Sequence, residues 1–152
     1  MKKFILVCLF SSFLYSFNGL LGVSAYSLFK VPKWEVVYMK VGSYDIVIPN
    51  EVENAFIIFD KNYGRAGGIV GCNHFTNFYK VTSGGKIIEI SPGGLTQMAC
   101  GSSFETQIET IFNSHFNGKF VVRSSNDIIE LVKDNFIVGL TPSISLDPDY
   151  GF

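Results

Sequence analysis

Between residues 26 and 140, short apolar runs alternate with clusters of Gly, Pro, Asn, Asp and Ser, the rhythm of strands separated by turns. Trp34 to Val41 (WEVVYMKV) is dominated by β-branched and aromatic residues and broken by Gly42-Ser43, so it predicts a first strand. Tyr44 to Ile48 is a second, short candidate ended by Pro49-Asn50. Ala55 to Asp60 (AFIIFD) precedes a turn at Lys61 to Gly64. Arg65 to Gly71 is glycine-rich but carries Ile69 and Val70, which suits a strand whose small residues admit a neighbouring backbone. Asn77 to Thr82 and Lys86 to Ser91 flank Ser83-Gly84-Gly85 as a hairpin, with Pro92-Gly93-Gly94 expected to stop the second strand. Lys119 to Ser124, Ile128 to Lys133 and Phe136 to Leu140 follow, joined by breaks short enough for hairpins.

One segment changes period. Ser102 is an N-cap with Glu105 three residues on, the spacing that satisfies two otherwise orphaned N–H groups. Phe104, Ile108, Ile111 and Phe112 then share one helical face, while Thr106, Gln107, Glu109 and Thr110 fall on the other. The helix should end near Ser114, before Asn117-Gly118. The order of five strands, a helix and three strands predicts an α+β, mainly β fold. We expect a curved antiparallel, partly barrel-like sheet of about eight strands, with the helix over one opening. Residues 26–152 read as one domain with a core at 33–140 and a loose tail at 141–152, marked by Pro142 and Pro148.

The N-terminus obeys a different pattern. Met1-Lys2-Lys3 is basic, Phe4 to Phe17 is an uncharged apolar run, and Val23-Ser24-Ala25 ends in small residues. This is the order of a secretory signal peptide over residues 1–25, cleaved after Ala25, which places the domain in the periplasm or outside the cell. The alternative is an uncleaved inner-membrane anchor, since apolar character continues through Leu20-Leu21. Cys8 lies deep in the apolar run after Val7 and offers no lipid attachment site.

Removing residues 1–25 takes away two lysines and no acids, so the net charge moves from −1 to −3. An acidic domain without a Lys/Arg cluster lacks the footprint of a nucleic-acid binder, and it lacks a polybasic patch for anionic lipid. Partners are therefore expected among envelope proteins or small apolar ligands, with the domain a monomer and not stably inserted in a membrane. Cys72 and Cys100 remain after processing. In an oxidising compartment they pair as a disulfide worth about 3–4 kcal/mol in the chain-entropy model, or stay as buried thiols.

Gly71-Cys72-Asn73 with Phe75 and Tyr79, then Leu95-Thr96 and Met98-Ala99-Cys100, then Glu105 and a helix with Phe112, resembles the META domain (HslJ-like) family. The motif residues are thus Gly71, Cys72, Asn73, Thr96, Met98, Ala99 and Cys100, and the similarity spans about residues 33–140. The resemblance implies a small, partly barrel-like antiparallel sheet with a helix, in an exported envelope protein linked with heat shock, antibiotic tolerance or virulence. It carries no common reaction or cofactor, so no catalytic residue is transferred and none is expected.

The remaining chemistry is weighed against this. Asn73 suits a left-handed turn that takes the strand out of the sheet, leaving Cys72 to point toward Cys100. Cys72, His74, Met98 and Cys100 form a candidate soft-metal set, suited to Cu(I), although oxidation would consume both thiols and no usual zinc spacing is present. His74 and His115 are the only histidines, and no serine lies in a G-x-S-x-G turn. Phe56 and Phe59 cannot both face inward on one alternating strand, so aromatics either fill a broad core or mark a partner surface. These observations lead to a non-enzymatic envelope protein that binds a protein or apolar ligand and supports stress tolerance or envelope integrity. The alternatives are a periplasmic inhibitor of lysozyme or proteases and, third, a copper or soft-metal binder.

Overall fold

A computed structural model describes residues 23–143. The apolar leader and the end of the tail (1–22 and 144–152) lie outside the described residues, and with them most of the signal-peptide segment and Cys8. Nine strands form one antiparallel sheet: β1 (Trp34–Val41), β2 (Tyr44–Val47), β3 (Ala55–Asp60), β4 (Arg65–Val70), β5 (His74–Thr82), β6 (Ile87–Leu95), β7 (Gly118–Ser125), β8 (Ile128–Lys133) and β9 (Phe136–Pro142). Helix α1 (Ser103–His115) stands between β6 and β7. Sequential strands pair from β3 to β9, and β9 pairs with β1 from Trp34↔Pro142 to Val41↔Phe136, which closes an eight-strand barrel. The ninth strand is the short candidate: β2 shares one edge of β1 with β3, taking Tyr38 to Val41 while β3 takes Trp34 and Glu35.

Inward positions alternate along the strands and meet in one core. Val36, Ile57, Ile88, Ile90, Phe120, Leu131, Val138 and Leu140 belong to it, as do Ile108 and Phe112 of the helix. A chain of ring contacts runs through this interior, Phe112 stacked on Phe116 at 4.4 Å, with Phe75 tilted against Phe112 at 5.0 Å and Phe116 against Phe120 at 5.6 Å between centroids. Among the described residues the phenylalanines are thus mainly core-filling, which is the reading that needs no exposed aromatic face. Phe56 does turn to the outer side, as alternation requires, but it is only 3% exposed, and the Lys33 ammonium lies 5.3 Å from its ring centre. The Lys33 cation is one of the neighbours that cover this outward ring.

The helix forms as its sequence dictates. Ser102 Oγ accepts from the Glu105 amide and Glu105 Oε2 accepts from the Ser102 amide, both at 3.1 Å, so the capping box is complete. Residues 25–29 form a 3-10 turn that Ser24 caps, with Ala25 and Leu28 fully buried. Trp34 Nε1 donates to the Leu28 carbonyl at 2.8 Å and ties this turn to β1.

Two boundaries depart from expectation. Pro92-Gly93-Gly94 does not stop the hairpin, because β6 runs on to Leu95 opposite Phe75. The register shifts between Thr76 and Phe78, where Asn77 Oδ1 accepts from the Gly93 amide at 3.1 Å. This bulge absorbs the proline's missing donor, and at Gly93 a Cβ would come within 1.9 Å of the Thr76 carbonyl oxygen, so the close approach needs glycine. The last strand also extends past the expected core limit of 140, since Thr141 and Pro142 pair with Glu35 and Trp34.

Candidate functional site

The motif residues converge where β4 leaves the barrel. The turn is made by Gly71, with φ +116°, and not by Asn73, which keeps an ordinary backbone. The reason is proximity to the helix: a Cβ on Gly71 would come to 2.7 Å from the Glu105 carbonyl oxygen and 2.6 Å from the Glu109 Cβ. Running the chain this close to α1 aims two successive amides at one carboxylate. Cys72 N and Asn73 N donate to Glu109 Oε2 at 2.9 and 2.6 Å.

Asn73, 4% exposed, joins three segments. Its Nδ2 donates to Glu109 Oε1 at 2.8 Å and to the Met98 carbonyl at 3.0 Å. Its Oδ1 accepts from the Met98 amide at 2.7 Å and from Thr96 Oγ1 at 3.0 Å. Thr96 Oγ1 in turn accepts from the His74 amide at 2.9 Å. The G-C-N and T-x-M-A-C blocks are therefore two halves of one clasp, with Glu109 as its anchor on the helix. Burial pushes the Glu109 carboxyl up, but the Cys72 amide and the side chain and amide of Asn73 outweigh it, holding the group below the usual carboxylate range.

Cys72 and Cys100 form a disulfide across this clasp, with their α-carbons 5.4 Å apart. It fixes the segment from Thr96 to Gly101, which has no regular structure and is mostly exposed. Ala99 of the motif sits exposed in that segment, and Met98 is 60% exposed. Of the four soft ligands considered from the sequence, only the two cysteines come together. His74 faces solvent on β5, and the Met98 backbone, not its sulfur, is what meets Asn73. A donor that periodicity assigned to the polar face takes their place: one atom each of Cys72, Cys100 and Glu109 lies within 4.8 Å of the others. Glu109 was hidden by its helix position, because a polar helix face reads as solvated unless a turn is known to cross it.

A second polar cluster lies on the outer face across β7, β8, β9 and β1, where Arg123↔Glu130, Glu130↔Gly139 and Gly139↔Tyr38 are successive pairs. Glu130, 6% exposed, accepts from the Tyr38 hydroxyl and from Arg123 Nε. Burial first, then the hydrogen bond and charge of Glu130, raise the Tyr38 phenol above its usual range. Burial and the Asp60 charge push the Tyr79 phenol up to about 12. His115 stacks on Phe136 at 5.1 Å with Nδ1 2.9 Å from the Ile111 carbonyl, a helix-end role. A polar groove of about 350 Å³ lies outside the barrel between β1 and the segment joining β2 to β3, lined by Lys33, Glu35, Asn54 and Phe56 among others. None of the helices among the described residues is long and apolar enough to cross a membrane.

The model of the META domain family matches residues 29–135. No curated protein matches. The solution structure of a protein from Burkholderia xenovorans is similar, with a TM-score of 0.63 at 18% identity over 80% of this chain and 87% of that one. A crystal structure of a DUF4847-family protein from Bacteroides vulgatus is similar at a TM-score of 0.51 and 11% identity, over 78% of this chain and 97% of that one. At these identities the likeness is one of fold.

Proposed function

Because this chain belongs to the META domain family, we propose that it works by binding and not by catalysis, as an exported envelope protein that engages a protein partner and supports stress tolerance or envelope integrity. The observation that carries this reading is the direction of the motif's polar groups. Asn73, Thr96 and Glu109 are turned toward one another and hold the Thr96–Gly101 segment outward. Export is supported by the disulfide, which an oxidising compartment permits, and by the basic, apolar, small-residue order of residues 1–25. A protein partner is favoured over an apolar ligand because aromatic rings occupy the barrel interior, whereas Phe78, Leu95 and Met98 are 53%, 45% and 60% exposed on β5, β6 and the clasped segment. The test compares the natural chain with a Phe78→Ser, Met98→Ser variant as bait in envelope extract. One or a few proteins should be retained by the first and lost by the second at unchanged melting temperature. Turnover of ester, peptide or glycan substrates by the purified chain would overturn the reading.

An inhibitor of lysozyme or proteases is the second reading. The exposed segment pinned by Asn73 and by the disulfide favours it, since a pre-ordered loop loses little entropy on docking. Stoichiometric loss of hydrolase activity on titration with the chain would single it out.

A further inference from the structure

We propose that the Cys72–Cys100 disulfide is the oxidised form of a site for a zinc-class divalent ion, with Cys72 Sγ, Cys100 Sγ and Glu109 Oε2 as its three protein ligands. The three donor atoms already lie within 4.8 Å of one another, and Glu109 Oε2 is 3.8 Å from Cys100 Sγ. Two ligands at zinc–sulfur and zinc–oxygen lengths in a tetrahedron stand about 3.6 Å apart, so that edge is close to formed. Breaking the disulfide lets the sulfurs separate, and Cys100 has the freedom to move because it ends an irregular, exposed segment.

The surroundings are those of a ligand set more than of a bare cysteine pair. Ligating carboxylates are normally oriented by hydrogen bonds from a surrounding shell. Here Asn73 Nδ2 holds Glu109 Oε1 at 2.8 Å, and the Cys72 and Asn73 amides hold Oε2 at 2.9 and 2.6 Å, so an ion bound through Oε2 displaces the longer of these two amide bonds. The same Asn73 Nδ2 lies 3.4 Å from Cys72 Sγ, where a thiolate would share the hydrogen now given to the Met98 carbonyl. Two sulfurs and one oxygen select a borderline or soft ion over magnesium or calcium, and the fourth position is left for water or an external ligand.

The chemistry balances with an external dithiol as reductant. Two thiol–disulfide exchanges transfer two electrons to the Cys72–Cys100 bond, and the dithiol leaves as its own disulfide. Cys72 and Cys100 become thiols, and the entering ion displaces their two protons to water.

The test uses the full chain reduced with a phosphine, desalted without oxygen and titrated with cadmium. The reduced chain should develop thiolate-to-cadmium ultraviolet absorption that saturates near one equivalent and is reversed by zinc, while the oxidised chain should show none. Glu109→Gln should weaken binding by at least about tenfold with the absorption retained. Cys100→Ser, in the exposed segment and clear of the Asn73–Glu109 bonds, guards against a Glu109→Gln chain that fails to fold; it should lose about half the absorption and weaken binding similarly. His74→Ala should bind as the natural chain does. A reduced chain without the absorption at micromolar cadmium overturns the site. So does undiminished binding by a folded Glu109→Gln chain or by Cys100→Ser, or loss of binding in His74→Ala.

Discussion

Glu109 and Glu130 are both carboxylates drawn out of water, one on α1 facing the turn after β4 and one on the outer face of β8, yet their partners differ in kind. Glu109 is met by two backbone amides and a side-chain amide, none of them charged. Glu130 is met by a guanidinium and a phenol. Uncharged donors fixed to the backbone cannot swing away, so the Glu109 clasp specifies where β4, α1 and the Thr96–Gly101 segment stand relative to one another. The Arg123 side chain is 53% exposed and shares its charge with water, so the Glu130 cluster adds to the closed barrel without defining it.

The two clusters differ most when one member of each is removed. Asn73→Ala removes the partner of the Met98 amide and carbonyl and one donor from Glu109, bonds that are part-buried around a side chain itself only 4% exposed. It should cost roughly 3 kcal/mol or more. Glu130→Ala leaves Arg123 free to hydrate and should cost about 1–2 kcal/mol. Urea unfolding of the two variants measures both, and a larger loss for Glu130→Ala would reverse the ranking.

The glycines beside the two clusters give a smaller and finer contrast. At Gly71 an added methyl meets helix backbone in a left-handed conformation, and neither can yield, so Gly71→Ala should cost about 2–3 kcal/mol. At Gly139 it meets the Tyr38 ring at 2.2 Å, and a side chain can swing at the expense of its bond to Glu130. Gly139→Ala should cost about 1–2 kcal/mol, most of which disappears when Tyr38 is already alanine. Additive losses in that double variant would show that the ring is not what constrains Gly139.

How far each cluster could be read from the sequence follows from the same contrast. The two halves of the clasp were visible because Gly71-Cys72-Asn73 and Thr96-x-Met98-Ala99-Cys100 are local blocks, and the Ser102–Glu105 capping box likewise depends on a short spacing, while the disulfide, spanning 28 residues, was legible only from the two cysteines left in an exported chain. Its anchor did not, since Glu109 sits among Thr106, Gln107 and Thr110 on a face that periodicity hands to solvent. Strand identities were legible from alternation, but the course of β6 through Pro92-Gly93-Gly94 was not, because it is rescued by a bulge opposite Asn77 on β5, 16 residues earlier. The Tyr38–Glu130–Arg123 row was invisible for a different reason. It requires β9 to close on β1 in a specific register, and Tyr38 and Glu130 are 92 residues apart.

The smallest effect, and the one that separates the clusters most cleanly, is their response to pH. The Glu109 pKa is lowered in the folded chain, so its contribution to stability is present above the unfolded carboxyl value of about 4.3 and is lost as pH falls through the folded one. The Tyr38 pKa is raised, so its contribution is full below the unfolded phenol value of about 10 and is lost as pH rises through the folded one. The clasp should therefore fail in acid and the outer cluster in alkali. Urea midpoints recorded across pH should show Glu109→Gln lower throughout but with a flatter acid limb, its alkaline limb unchanged. Tyr38→Phe should flatten the alkaline limb only in part, because Tyr79, pushed up to about 12, loses stability over the same range. An acid limb as steep in Glu109→Gln as in the natural chain would mean that the amides of Cys72 and Asn73 hold the carboxylate no better than water does, and the clasp would then rest on Asn73 and the disulfide alone.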